Sequence, residues 1–263
     1  MPAAKNRPLG LDDVADLLAR SPSTRETILV GGQALNVLAV HYGLDVVSTA
    51  VSEDIDFFGD ARQARAAGQA WNGATRIARI DDHTPNSAYV LLEMNGATYQ
   101  IDFMADILGV KVKELKDWAA TIEADGKAFL VMHPLHVLQS QLENIYGILN
   151  RRSMGARAVK RMRLANSVAA SALADYLEHG DIKTALKGAE RIAKIATTPA
   201  GLRAWYEDHV DVLAAIPENP HWSRVFLTKR LPQIHKFVDS KRENYSARQD
   251  RGSNPPSQRK APS

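Results

Sequence analysis

The sequence predicts an α+β fold: a mixed sheet with flanking helices, followed by an all-α C-terminal domain. Short apolar runs alternate with helical patterns in the first half of the 263 residues, and an Asn-Gly turn at 95–96 joins two of these runs. After Pro134 only helical spacing remains, broken at glycines and prolines. We therefore place an α+β domain at residues 1–132, a helical domain at 133–242 and a disordered basic tail at 243–263.

The first elements are a short helix and a strand that turns into a second helix. Residues 11–20 carry leucine and valine at helical spacing, and residues 27–30 form a short apolar run typical of a buried strand. Gly31 and Gly32 follow directly, and residues 34–42 then show helical spacing. Because the N-terminus of a helix attracts anions, this glycine turn is a candidate phosphate site.

The remaining elements follow from the same kinds of pattern. Further strands are expected at 54–58, 88–93, 98–104 and 128–132. Further helices are expected at 61–72, 111–120, 135–149, 156–178, 182–196, 200–215 and 221–240.

Three aspartates on predicted strands are the candidate catalytic and metal-binding residues. Asp54 and Asp56 are one residue apart, so an extended strand points both carboxylates to one face. Asp102, on the return strand of the hairpin, offers a third carboxylate. Carboxylates on one face repel each other unless a cation lies between them, and Mg²⁺ prefers oxygen ligands. The pattern predicts a site for Mg²⁺ or Mn²⁺ beside a nucleoside triphosphate held at the glycine turn.

The composition is that of an ordinary soluble protein, with 45% hydrophobic and 24% charged residues. No run approaches the roughly 18 apolar residues of a membrane span, so we expect no membrane partner. The absence of cysteine excludes disulfides and thiolate zinc sites. No apolar core follows the first eight residues, so a secretory signal is not expected, and we predict a cytoplasmic protein.

Charge is distributed unevenly along the chain. Acidic residues outnumber basic ones in residues 1–132, and basic residues outnumber acidic ones in residues 133–263. This asymmetry is typical of a cation-binding module beside a surface for a polyanion such as RNA. The alternative is that the lysines and arginines are solvated helix faces with no ligand. The densest basic stretch, residues 151–163, is open to both interpretations.

The order of these motifs resembles the nucleotidyltransferase superfamily of the DNA polymerase β type. An apolar strand runs into Gly31-Gly32, a helix follows, then Asp54-Ile55-Asp56 on a strand and Asp102 on a later one. Within that superfamily, residues 30–35 (VGGQAL) and 52–57 (SEDIDF) are most similar to the AbiEii-type branch, whose members often act as toxins of toxin–antitoxin pairs. The resemblance covers about residues 27–150.

The resemblance implies a role for each matched residue. The glycines contact the triphosphate, the carboxylates of Asp54 and Asp56 bind metal, and that of Asp102 assists the attacking group. Further candidates for nucleotide binding are Gln33, Ser52 and Lys160. Arg151, Arg152 and Arg161 are alternatives to Lys160 as the source of positive charge for the phosphates.

The implied activity is metal-dependent transfer of a nucleoside monophosphate from a triphosphate to an RNA, with tRNA as one candidate, or to a protein. An antitoxin protein is then the expected partner. Many AbiEii-type proteins carry a lysine early in the helix after the strands, where this chain has Gln139 and Gln141. That departure favours the alternative, a protein of the same fold that binds nucleotide or RNA without catalysis. An antibiotic-modifying transferase is a third hypothesis, and the basic second half fits a larger polyanion better.

Overall fold

A computed structural model describes residues 11–20, 27–46, 54–79, 81–82, 84–94, 96–124, 126–148 and 155–253 of the chain. The chain divides into two compact units, Met1–Ala172 and Leu173–Ser263. The first unit extends past the predicted boundary at residue 132, because the helix that begins at Pro134 packs on an earlier helix, Gly31–His41. Within the described residues, no helix is both long enough and apolar enough to span a membrane.

The first unit contains the sheet and its flanking helices. The strands are β1 (Ile28–Val30), β2 (Ile55–Phe58), β3 (Ala74–Ile77), β4 (Asn86–Met94), β5 (Ala97–Met104), β6 (Ala120–Ala124) and β7 (Lys127–Val131). The helices are α1 (Leu11–Arg20), α2 (Gly31–His41), α3 (Ala61–Trp71), α4 (Val112–Asp117), α5 (Pro134–Leu142), continued by a π-helical turn at Glu143–Gly147, and α6 (Ala156–Glu178), which reaches into the second unit.

The sheet has seven strands in the order β3-β4-β5-β2-β1-β7-β6. Strand β1 lies antiparallel to β2 and parallel to β7, and β2 lies parallel to β5, so the sheet is mixed. The predicted α+β class is therefore confirmed. Parallel pairing of β2 with β5 brings together two segments far apart in sequence, and this pairing positions the carboxylates.

Local sequence explains the start of α3 and the turn of the β4–β5 hairpin. The Asp60 carboxylate accepts a hydrogen bond from the Gln63 amide at 2.9 Å, and the Gln63 side chain accepts one from the Asp60 amide, which forms a capping box at the start of α3. Gly96 has a φ of +75°, as the predicted hairpin turn between β4 and β5 requires.

Some predicted elements differ from those observed. The helix predicted at 111–120 ends at Asp117, and the residues after Trp118 form β6. Strands β3 and β6 were not predicted. Both lie at the ends of the strand order, where each has only one strand neighbour. β3 exposes three of its four residues, so its sequence lacks the alternation that marks a half-buried strand.

The second unit is helical, as predicted. It contains α7 (Ile182–Ala196), α8 (Pro199–Asp208) and α9 (Leu231–Ser253), with a 3₁₀ turn at Val212–Ala215 and a π-helical turn at Phe226–Arg230. The predicted disordered tail is corrected for residues 243–253, which belong to α9. Residues of this stretch make tertiary contacts: the Tyr206 hydroxyl donates a hydrogen bond to Asp250 at 3.2 Å, and the Tyr245 ring packs against the Tyr206 ring. Residues 254–263 lie outside the described residues.

Candidate active site

The candidate site is built where β1 turns through glycine into α2. Gly31 is the first residue of α2, and it has a φ of +68°, a conformation that glycine adopts without strain. A Cβ at this position would lie 2.2 Å from Oδ2 of Asp56. The backbone of the glycine turn therefore lies directly against the Asp56 carboxylate, in a space that no side chain can share.

Strand register places Asp56 beside two other residues of the site. Asp56 pairs with Val30 across the antiparallel β1–β2 ladder and with Asp102 across the parallel β2–β5 ladder. Because directly paired residues share a face of the sheet, the two carboxylates are neighbours. Oδ1 of Asp102 accepts a hydrogen bond from the Gln100 side-chain amide at 2.8 Å.

The electrostatics of Asp56 follow from this crowding. Its pKa is raised from the ordinary 3.8 to about 7, mainly because burial disfavours the charged form, and further because Asp102 and Asp54 are negative. The positive charge of Arg161 opposes this rise in pKa. A carboxyl group that holds its proton near neutral pH, beside two other carboxylates, is a centre at which a divalent cation would displace a proton.

The three predicted carboxylates do not contribute equally. Asp54 precedes β2 and is exposed, whereas Asp56 and Asp102 lie within paired strands and are partly buried. Among the described residues, no three His, Asp or Glu side chains are arranged to hold a metal ion. The donor chemistry of Asp56 and Asp102 nevertheless fits Mg²⁺ or Mn²⁺, because both offer carboxylate oxygens in an electrostatically negative setting. The assignment of Asp54 as a third metal ligand stays a prediction.

The nucleotide-binding candidates around the glycine turn are placed differently. Gly32 is buried in the first turn of α2. Gln33 is only 1% exposed, and its side-chain oxygen accepts a hydrogen bond from the side-chain amide of Asn36 at 3.1 Å. Gln33 therefore lies on the buried face of α2. Ser52 lies outside the described residues. Val30, which caps α2, offers no side-chain hydrogen bond to the first turn, and that turn carries no acidic residue, so both features favour an anion there.

Of the basic candidates on α6, Arg161 and not Lys160 acts on the site. Lys160 is exposed on α6, whereas Arg161 is partly buried and lowers the pKa of Asp56 through its charge. The basic run at 151–163 marked this region in the sequence. Which of its residues faces the carboxylates depends on the rotation of α6, and the mixed run of charged and apolar residues does not fix that rotation.

Exchange of Gly31 for alanine is expected to damage both the fold and the site. The left-handed backbone costs about 1–2 kcal/mol for a residue with a Cβ, and the methyl group also displaces the Asp56 carboxylate. Gly43 provides a matched control, because it has a φ of +66° and a Cβ there would meet nothing within 4 Å. In thermal unfolding we expect Gly43→Ala to show the backbone cost alone and Gly31→Ala to show a larger loss. Equal losses would contradict close contact between Gly31 and Asp56.

Comparison with known proteins gives matches among solved structures only. No protein-family model and no curated protein sequence match the chain. The chain is similar to an antigenic nucleotidyltransferase-like protein from Paracoccidioides brasiliensis, at 13% identity and a TM-score of 0.39, over 68% of this chain and 92% of that one. It is also similar to the Megavirus polyadenylate synthase, at 18% identity and a TM-score of 0.37, over 60% of this chain and 30% of that one. At TM-scores below 0.5, function has to be inferred from this chain's own residues.

Proposed function

We propose that the protein is a metal-dependent nucleotidyltransferase that moves a nucleoside monophosphate from a nucleoside triphosphate to an acceptor. The observation that supports this most is the side-by-side placement of Asp56 and Asp102 on parallel strands, with the Gly31 backbone against the Asp56 carboxylate. It joins a candidate cation site on β2 and β5 to a candidate phosphate site at the β1–α2 turn.

The chemistry makes one bond and breaks one. An oxygen of the acceptor attacks the α-phosphorus, the bond from that phosphorus to the bridging oxygen breaks, and pyrophosphate leaves. A divalent cation, when bound to Asp56 and Asp102, supplies positive charge where negative charge gathers on the phosphates. The proton of the acceptor hydroxyl passes to the carboxylate of Asp102, which the resemblance assigns to the attacking group.

The chain's own groups hold the triphosphate around that centre. The first backbone N–H groups of α2 point toward its N-terminus, where the helix dipole favours an anion. Arg161 adds a positive charge that already acts on Asp56. Together they place the phosphates over the carboxylate pair and orient pyrophosphate as the leaving group.

A label-transfer assay tests this function. The protein is incubated with α-labelled triphosphates, Mg²⁺ or Mn²⁺, and either total RNA or a protein lysate, and the acceptor fraction is then examined for label. We expect label on one class of acceptor, a strict requirement for the metal, and loss of transfer with Asp102→Asn. Transfer that survives in Asp102→Asn, or none from any triphosphate, would contradict the proposal.

Arg161 rather than Lys160 is expected to matter for triphosphate binding. Arg161→Gln removes a positive charge near Asp56, so the pKa of Asp56 should rise further and triphosphate affinity should fall by about tenfold, as for loss of one charge-assisted contact. Lys160→Gln, one residue away on the exposed side of α6, is the matched control and should bind as the parent does. Calorimetry with a non-hydrolysable triphosphate measures both affinities, and a larger effect of Lys160→Gln would contradict this assignment.

The finer parts of the proposal rest on the resemblance to the AbiEii-type branch. The acceptor is RNA, with tRNA as a candidate, or alternatively a protein. The protein acts as a toxin and has an antitoxin partner. Expression of the parent is then expected to slow growth of the host, and expression of Asp56→Asn is not. Equal growth of the two strains at equal protein levels would remove the toxin role.

A second function is favoured by the residues that occupy the lysine positions of the AbiEii-type branch. Gln139, which is partly exposed, donates a hydrogen bond to the Gly109 carbonyl, and Gln141 is buried at 4% exposure. A protein with this arrangement would bind nucleotide or RNA without transferring it. Triphosphate binding in calorimetry, combined with no label transfer to RNA or protein, would support this function over the first.

A further inference from the structure

A row of directly paired side chains extends from the carboxylates toward the edge of the sheet at β3. Asp102 pairs with Tyr89 across the β4–β5 ladder, and Tyr89 pairs with Arg76 across the β3–β4 ladder. Since Asp102 also pairs with Asp56, all four residues lie side by side on one face of the sheet. Two strand spacings separate Arg76 from Asp102, which is about 10 Å between their backbones. Tyr89 and Arg76 have no role in the chemistry above.

This face of the outer strands is the one that α3 does not cover. The Thr75 hydroxyl donates a hydrogen bond to a backbone carbonyl of α3 at 3.4 Å. The Trp71 ring of α3 lies 6.3 Å from the Phe103 ring, centre to centre. Thr75 and Phe103 are sequence neighbours of Arg76 and Asp102, and successive side chains on a strand point to opposite faces. Helix α3 therefore packs behind the row.

Tyr89 and Arg76 are accessible from this open face. Tyr89 is half-buried and Arg76 is exposed. Within the part of the chain that the structure describes, neither side chain makes a hydrogen bond, an ion pair or a ring contact. An aromatic ring can stack on a nucleic-acid base, and a guanidinium can pair with a phosphate. The sheet presents these two groups on adjacent strands.

The direction of phosphoryl transfer favours an acceptor at this end of the row. The attacking and leaving oxygens lie roughly in line, on opposite sides of the phosphorus. The glycine turn lies beside β1, on one side of Asp56, and Asp102 lies on the other side. The strand order therefore puts the leaving pyrophosphate toward β1 and the attacking acceptor toward β4 and β3.

The charges on this face are compatible with a phosphate at Arg76. Asp56 and Asp102 are balanced by the divalent cation when it is bound. Glu93 shares the face but lies four residues along β4 from Tyr89, about 13 Å away. This separation exceeds the Debye length of about 8 Å at physiological salt, so Glu93 repels a phosphate at Arg76 only weakly.

We propose that Tyr89 and Arg76 bind the 3′-terminal nucleotide of a single-stranded RNA acceptor. Its base stacks on the Tyr89 ring, a backbone phosphate pairs with Arg76, and its terminal hydroxyl lies at Asp102. The proposal rests on the nucleotidyltransferase function and selects RNA over protein as the acceptor. The strand has to be single, because only an unpaired, unstacked base offers its face to an aromatic side chain.

RNA binding in the absence of triphosphate tests the role of Tyr89. A short single-stranded RNA and a blunt duplex of the same sequence are titrated with Mg²⁺ present, and fluorescence anisotropy is followed. We expect the single strand to bind more tightly than the duplex. Tyr89→Leu should weaken binding of the single strand about tenfold, through loss of one stacked base. Tyr89→Phe keeps the ring and should bind as the parent does.

A salt series tests the role of Arg76. Arg76→Gln should weaken binding and lower the slope of log affinity against log salt by about 0.7, the value for one phosphate contact on a single strand. Arg65→Gln is the matched control, because Arg65 is an exposed arginine on α3, behind the row. It should leave the affinity and the slope unchanged. Thermal unfolding shows whether each variant is folded.

The outcomes separate this proposal from the proposed function. Equal binding of single strand and duplex, equal effects of Arg76→Gln and Arg65→Gln, or equal losses in Tyr89→Phe and Tyr89→Leu would overturn the assignment. Label transfer to protein alone would also overturn it, while the nucleotidyltransferase function would stand. RNA binding that depends on Tyr89 and Arg76 supports the assignment, and if the same preparation transfers no label, it is the proposed catalysis that fails.

Discussion

Asp56→Asn is expected to lower nucleotidyl transfer by more than ~10²-fold, because removal of groups that only support metal ligands already costs 10–100-fold. Asn keeps the shape of Asp56 but cannot carry the negative charge that a divalent cation needs. The parent should also show a rise in transfer with pH toward about 7 at limiting metal, since Asp56 has to lose its proton to bind metal. Excess metal should move this rise to lower pH, because the cation competes with the proton.

Initial rates of label transfer over a pH series measure both effects. Glu123→Gln is the control, since Glu123 is an exposed strand carboxylate on β6 and should leave the rate and its pH dependence unchanged. Transfer by Asp56→Asn within a few-fold of the parent rate, or a parent profile that is flat between about pH 5 and pH 8 at limiting metal, would contradict the role of Asp56.

The same substitution is expected to stabilise the metal-free protein. The native state holds the Asp56 proton at pH values where the unfolded chain has lost it, so the native state binds more protons and stability falls as pH rises from about 4 to about 7. A pKa raised from 3.8 to about 7 corresponds to a loss of ~4 kcal/mol above that window. Asp56→Asn removes this cost, because the amide does not ionise.

Denaturant unfolding in the presence of a chelator checks the sign and the pH window. The free energy of unfolding of Asp56→Asn should exceed that of the parent by a small amount near pH 4. This difference should grow through neutral pH and level off above about pH 8. Added Mg²⁺ should stabilise the parent and narrow the gap, because it binds the ionised carboxylate. If Asp56→Asn is less stable than the parent at pH 8 in chelator, ionisation of Asp56 does not destabilise the metal-free fold.

Local patterns predicted much of the fold. The run 28–30 before Gly31 predicted a strand that turns into a helix, and the Asn-Gly turn predicted the β4–β5 hairpin, because in both cases glycine and apolar spacing carry the signal within a few residues. Strand β3 gave no such signal, because three of its four residues are exposed and do not alternate with buried ones. The extension of α9 to Ser253 brings Tyr245 and Asp250 against Tyr206, contacts distant in sequence that no local pattern indicates.

The site was predictable in its residue types and less so in its geometry. Alternation on a strand identified Asp56 and Asp102 as candidates, but their direct pairing depends on the register between β2 and β5, which no local pattern encodes. Gln33 occupied a position where a ligand contact was expected, yet it is buried against Asn36, because α2 turns that face inward. Arg161 could not be separated from Lys160, since helix rotation decides which of them acts on Asp56.

Proton release on metal binding tests the central claim most directly. Calorimetric titration of Mg²⁺ and a non-hydrolysable triphosphate, repeated near pH 7 in buffers of different ionisation enthalpy, counts the protons displaced. The shared centre of Asp56 and Asp102 predicts release of a fraction of a proton by the parent at that pH and none by Asp56→Asn. Binding without proton release, or the same release by Asp56→Asn, would contradict a cation site at these two carboxylates.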